Sequence, residues 1–257
     1  MVLYASDLDR TLIFSARFLS EYPCDKSYTP VEYKDDKIIS YMADEVISKL
    51  NYVSSKENVQ FVPVTLRGIE EYNRVNLGVK PDYAIVAGGG VILDKYGNSL
   101  EEWDKYVSSG FDKFEMLEII GDIEDSLDSV DYQVKVIDNC YLFFKTKDVE
   151  LFDTEVEYLD EKYENWLFIR QGNKCYAIPK HISKQSALKW LWNKLNKPYI
   201  IASGDSEMDL PMLTLANQAV IPEHGSLIKS GIIIDGRIIS GGILSALETM
   251  RMVDEAS

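Results

Sequence analysis

Short apolar runs punctuate the chain at residues 2–6, 61–64, 83–87, 199–202, 219–221 and 232–234. They are continuous rather than alternating, and polar or turn-forming residues close them, as expected of strands buried on both faces of a parallel sheet. Helical periodicity appears among them at 42–53, 69–76, 184–195, 208–216 and 242–253. In the third of these, Ala187, Leu188, Leu191 and Leu195 form one apolar face. Strands alternating with helices predict an α/β fold on a doubly wound parallel sheet.

The rhythm changes in the middle of the chain. An acidic helical stretch near 111–127 precedes alternating segments at 132–138 and 141–146, and a second helix at about 149–163 precedes strands at 166–171 and 175–179. Helix-strand-strand thus occurs twice, which makes a small α+β sheet with its helices on one face. Parallel-type strands resume afterwards, so this unit is inserted. The expected division is a core of residues 1–98 and 183–257 and an inserted domain of 99–182. Residues 12–41 are too long for an ordinary strand-to-helix connection. Val31, Tyr33 and the Ile38-Ile39 pair predict a short hairpin there, standing over the end of the first strand.

With 46% hydrophobic and 27% charged residues over 257 positions, the chain has the composition of an ordinary globular protein. No stretch has the length of uninterrupted apolar sequence a membrane span needs, and the start lacks a basic signal-like region, so a cytoplasmic protein without membrane association is expected. Cys24, Cys140 and Cys175 are odd in number and far apart, unlike a disulfide framework or a thiolate metal site. The net charge of -15 is concentrated: residues 99–164 hold 20 acidic and 6 basic side chains. No Lys/Arg cluster suits a phosphate backbone, so nucleic acid is not an expected partner. The sequence carries no signal for an oligomeric state.

If the strands are parallel, their carboxyl ends share one sheet edge, where open α/β folds bind ligands. Asp7 and Asp9 follow the first strand, Thr65 and Arg67 another, and Asp205 and Asp209 a third, while Ser183-Lys184 opens a helix with Ser183 as its N-cap. Each signal has an ordinary explanation alone: a turn, a cap, a solvent-facing lysine. Together they suit phosphoryl chemistry. Mg²⁺ favours one or two carboxylates with phosphate and water, and a carboxylate can attack phosphorus once the phosphoryl oxygens are neutralised. Asp7 is the candidate nucleophile and Asp9 the candidate acid and base. Thr65, Arg67 and Lys184 are candidate phosphate ligands, Lys184 because an anion offsets its unfavourable place in a first helical turn. Asp205 is the candidate cation ligand, with Asp209 orienting or completing its surroundings.

Asp7-Leu8-Asp9-Arg10-Thr11, then Thr65, Lys184 and Gly204-Asp205 through Asp209 resemble, in order and separation, the motifs of the haloacid dehalogenase superfamily phosphatases. The insert resembles the α+β cap of the Cof-type and sucrose-phosphate-phosphatase-like branch. The resemblance implies an aspartyl-phosphate on Asp7, Asp9 as acid and base, and Mg²⁺ held by Asp7, the backbone carbonyl of Asp9 and Asp205, with Asp209 supporting. Asp9 separates the chain from true dehalogenases, which lack that second acid. Arg10 stands where the Cof type commonly has Gly, and Leu66 replaces the Gly of its Thr-Gly-Arg. Gly88-Gly89-Gly90 reads as a backbone turn, since no Gly-Lys-Ser/Thr follows it.

The expected activity is magnesium-dependent hydrolysis of a small phosphorylated metabolite, a sugar phosphate or similar monoester. A phosphomutase or phosphotransferase on the same residues and a non-catalytic binding protein are the alternatives. The acidic insert, if it faces the site, is expected to disfavour polyanionic substrates. His181 and His224 read as loop residues, and Trp190 and Trp192 as packing.

Overall fold

A computed structural model describes residues 1–110, 112–127, 131–147, 149–231 and 238–257. In chain order the first part runs β1 (Val2–Ser6), α1 (Ala16–Glu21), β2 (Tyr28–Lys34), β3 (Lys37–Ala43), α2 (Asp44–Ser54), β4 (Val59–Pro63), α3 (Ile69–Asn73), β5 (Tyr83–Val86), β6 (Val91–Asp94) and α4 (Glu101–Ser109). The middle holds α5 (Lys113–Leu127), β7 (Tyr132–Ile137), β8 (Tyr141–Thr146), α6 (Val149–Lys162), β9 (Trp166–Gln171) and β10 (Lys174–Pro179). The chain closes with α7 (Lys184–Lys194), β11 (Tyr199–Ser203), α8 (Leu210–Leu215), β12 (Gln218–Pro222), α9 (Ser226–Lys229), β13 (Ile238–Gly241) and α10 (Ser245–Ala256).

The central sheet has the order β13-β12-β11-β1-β4, and all its pairings are parallel. Every residue of β1 is buried, as its continuous apolar run predicts. Alternate residues serve opposite faces. Leu3 and Ala5 join Ala187, Leu188 and Leu191 of α7 on one side. Val2 and Tyr4 join Leu50 of α2 and Met250 of α10 on the other. Three layers result, the doubly wound architecture the alternation predicts. The strand expected at 232–234 lies outside the described residues, and β13 forms the described edge. The run at 83–87 continues the sheet only through a parallel bridge from Val64 to Ile85, and turns back antiparallel into β6.

The inserted unit repeats helix-strand-strand as expected. Its antiparallel sheet has the order β7-β8-β10-β9. Met116, Ile119 and Ile123 of α5 and Val156 and Leu159 of α6, with Tyr163 just past its end, recur at helical spacing and cover Leu142, Phe144, Cys175 and Ala177. The opposite face turns to the core, where Tyr141 Oη donates to the carbonyl of Leu66 at 2.8 Å. The acidic helices therefore face away from the core, with Glu118, Glu124, Asp125, Glu157 and Glu161 exposed. This removes the basis for substrate discrimination by insert charge. Helix α4, expected within the insert, instead packs Trp103 and Val107 into the core cluster, and Trp103 Nε1 donates to Gly89 O at 3.0 Å. The hairpin over the first strand is present as β2–β3, anchored to the core by Asn76 N donating to Val31 O at 2.8 Å.

Candidate active site

Strand register builds the site. Ser6 is level with Pro63 on one side and Ser203 on the other, so the residues that follow leave the sheet at one edge. Asp7, Thr65 and Asp205 all emerge there and are buried. From the adjoining layer comes Lys184, the first residue of α7, whose Ser183 N-cap forms a reciprocal capping box with Ser186. Gly89 sets that helix start in place: a Cβ there would lie 2.2 Å from Ser183 O, so only glycine permits the approach. The triple glycine is a backbone turn, as expected, and the turn seats Lys184.

Lys184 Nζ lies 2.6 Å from Asp7 Oδ1 and 2.5 Å from Asp209 Oδ1. Thr11, the last residue of the first motif, donates to Asp7 Oδ2 at 3.3 Å. Asp209 Oδ2 accepts from the backbone of Asp205 at 3.1 Å and of Ser206 at 3.0 Å, and from Ser206 Oγ at 2.9 Å. Asp209 thus organises the acidic turn from inside and caps no helix with its side chain. Gly204 leaves the room this needs, since a Cβ would meet Asp209 Cβ at 2.5 Å. The Asp205 carboxylate makes no hydrogen bond or ion pair among the described residues.

Ligand oxygens of Asp7, Asp205 and Asp209 lie within 4.8 Å of one another. Burial pushes the Asp7 carboxyl well above its ordinary range; Lys184 opposes this and the neighbouring carboxylates reinforce it. Burial and the charge of Asp209 raise Asp205 to about 7. Burial alone would lower Lys184, but Asp209 and Asp7 outweigh it and hold the ammonium charged. Three buried carboxylates face one lysine, an excess of negative charge suited to a divalent cation, with Asp7 and Asp205 as the residues that could hold it. Asp209 already spends both oxygens on protein donors.

Asp9 and Arg67 depart from the expected arrangement. The Asp9 carboxylate stands outside the Asp7, Asp205 and Asp209 group, about half exposed, with Arg67 Nε on Oδ2 at 2.8 Å and Nη2 on Oδ1 at 2.9 Å. Arg67, expected on phosphate, is committed to Asp9 and, through Nη1 at 2.8 Å, to Glu32 of the hairpin. Burial opposes its charge, but the bonds and charges of Asp9 and then Glu32 raise its pKa further. Thr65 Oγ1 accepts from Arg67 N at 3.1 Å. Tyr176, on the helix-free face of the inserted sheet, packs against the core cluster, and burial first, then the charge of Asp9, raise its pKa. Phe143 packs beside it, with ring centroids 5.4 Å apart.

Sequence reasoning missed Glu32 and His224. Strict alternation along β2 turns Glu32 outward beside inward Val31, but register shifts on both sides of Glu32 bury the two together. His224 does lie in a loop, yet it is buried among Phe14, Phe18 and Tyr22 and donates from Nε2 to Arg10 O at 2.6 Å. Arg10 has φ 62°, a left-handed conformation that favours glycine and one an arginine adopts here under that restraint.

A family profile matching most of the chain, together with a parallel sheet carrying an α+β insert, places this chain among the haloacid dehalogenase superfamily phosphatases. Sequence comparison narrows the class. The sucrose-6F-phosphate phosphohydrolase family profile matches residues 1–224, and the chain belongs to that family. No curated protein matches it significantly in sequence.

Among solved structures the chain is similar to the sucrose-phosphatase of Synechocystis, determined in complex with sucrose and phosphate, at 18% identity and a TM-score of 0.69 over 98% of each chain. It is similar to the C-terminal domain of trehalose-6-phosphate phosphatase from C. albicans at 12% identity and a TM-score of 0.67, over 99% of this chain and 92% of that one. A haloacid dehalogenase-like hydrolase from B. subtilis matches at 17% identity and a TM-score of 0.58 over 100% of both. At these identities the likeness is one of fold. Among the described residues no helix is long and apolar enough to cross a membrane.

Proposed function

We propose that this phosphatase hydrolyses a small sugar phosphate monoester with Mg²⁺, through transient phosphorylation of Asp7. The observation that carries the reading is the buried Asp7 carboxylate, paired with Lys184 at 2.6 Å within 4.8 Å of two further carboxylates. Family membership supports a sugar phosphate as substrate. Lys184 pairs Asp7 and opposes the burial that disfavours its nucleophilic carboxylate form, and with Thr65 it receives the phosphoryl oxygens. An Asp7 oxygen attacks phosphorus, the bond from phosphorus to the leaving oxygen breaks, and Asp9 gives that oxygen a proton. Asp9 then takes a proton from water as the water oxygen attacks phosphorus and the Asp7 ester opens. Asp7, the Asp9 carbonyl and Asp205 would hold Mg²⁺, which would supply the positive charge that neutralises the phosphoryl oxygens.

The insert serves as a cap: its aromatic, helix-free face meets the leaving group and excludes water. The packing of α4 on the core supports starting the cap at α5, so the division falls near 110–112 and 179–183. The three free cysteines support a cytoplasmic location. A turnover screen of sugar phosphates with Mg²⁺ tests the proposal, following inorganic phosphate and sugar products together. Phosphate release by the wild type is expected. Isomerised sugar phosphate without release would replace hydrolysis with a mutase reaction, and no change in any ester would overturn the catalytic reading.

A further inference from the structure

The β2–β3 hairpin takes no part in the proposed phosphoryl and proton transfers, yet it carries a fully buried carboxylate. Glu32 sits at the bulge of β2 that turns it inward. A carboxylate in such a place is strongly disfavoured unless it is paired and hydrogen-bonded. Here Oε2 accepts a hydrogen bond from the Ser40 hydroxyl at 2.7 Å, and Oε1 is ion-paired with Arg67 Nη1 at 2.8 Å and Arg74 Nε at 3.5 Å. Arg67 turns its other edge to both oxygens of Asp9. No other side chain among the described residues holds the Asp9 carboxylate, which rises from a half-exposed turn.

We propose that Glu32 is a positioning residue for phosphate ester hydrolysis: by fixing the Arg67 guanidinium it aims the Asp9 carboxylate, which makes the β2–β3 hairpin part of the catalytic apparatus. The proposal rests on the reading of Asp9 as acid and base. Arginine is suited to the task because its planar fork meets two oxygens at once, and each of those oxygens keeps a lone pair for a proton. Without the Glu32 charge the guanidinium keeps, besides Asp9, only two long contacts, Nη1 to Glu71 O and Nη2 to Ser40 Oγ at 3.5 Å each, and its hold on the Asp9 rotamer loosens. Misplacement by an ångström can cost proton transfer about a hundredfold.

The consequence depends on the leaving group. An alkoxide leaves phosphorus only as it takes the Asp9 proton, whereas 4-nitrophenolate leaves without one. Glu32→Gln, which keeps size and removes charge, is therefore compared with wild type on 4-nitrophenyl phosphate and on the best-cleaved sugar phosphate of the screen, with Mg²⁺ present. The expected result is a fall in kcat/KM of about 10- to 100-fold for the sugar phosphate and under about threefold for the aryl ester, with KM little changed. Equal falls, or none, would overturn the positioning role while wild-type turnover upholds the phosphatase reading. Wild type cleaving neither ester would overturn that reading and the role with it. If Glu32→Gln does not fold, Ser40→Ala keeps both charges and loosens Glu32: the same bias toward loss on the sugar phosphate supports the proposal, and its absence overturns it.

Discussion

Lys184 holds the charges of the site in balance. It is buried between Asp7 and Asp209, and removing one member of such a group leaves the others uncompensated. Lys184→Met is expected to lower stability by about 3–5 kcal/mol in urea denaturation, with added Mg²⁺ recovering part of the loss. Arg10→Gly should act the other way, raising stability by about 1 kcal/mol by relieving a left-handed arginine. The residues of the charged cluster are legible in sequence because each follows a strand end or opens a helix, and parallel topology then brings them together. Glu32 is not legible: a bulge is a register event between two strands, and nothing in the residues 28–34 reveals it. Arg67 was legible as a site residue but not in its partner, because the hairpin that supplies Glu32 lies far away in sequence.

At the scale of elements, α3 has Gly68 as its N-cap, which offers no side chain to cap the helix. The cap is supplied from the inserted unit instead, where Asp138 Oδ2 in the β7–β8 turn accepts from Ile69 N at 2.8 Å. With Tyr141 on the Leu66 carbonyl, this clasps the segment that carries Thr65 and Arg67. Asp138→Ala should cost about 1 kcal/mol and increase hydrogen exchange at Ile69, and an unchanged exchange rate would contradict the clasp. Strands buried on both faces and helices with one apolar stripe were readable from periodicity. The affiliation of α4 was not, since its stripe fits either side and only packing of Trp103 against the core decides.

For the molecule as a whole, most acidic side chains of the insert among the described residues are exposed, Glu155 being buried, while a small excess of negative charge is buried at the sheet edge. Asp205 has its pKa raised to about 7 in the fold, so the folded state binds a proton more tightly than the unfolded chain does. That contribution is full below about pH 4 and is lost as pH rises through about 7. A cation competing with protons for the same oxygens should therefore stabilise more at about pH 8 than at about pH 5, which thermal melts with and without Mg²⁺ would measure. An equal Mg²⁺ effect at both would place the cation elsewhere.

The proposed turnover passes through a phosphoryl group on Asp7. Acid-quenching the enzyme during steady turnover of a sugar phosphate and weighing the peptide that contains Asp7 tests it directly. One phosphoryl group on Asp7 is expected in the wild type, none in Asp7→Asn, and turnover in that variant reduced by about 10⁴-fold or more. Sustained turnover by Asp7→Asn, or a turning-over wild type with the phosphoryl group on another residue, would contradict it.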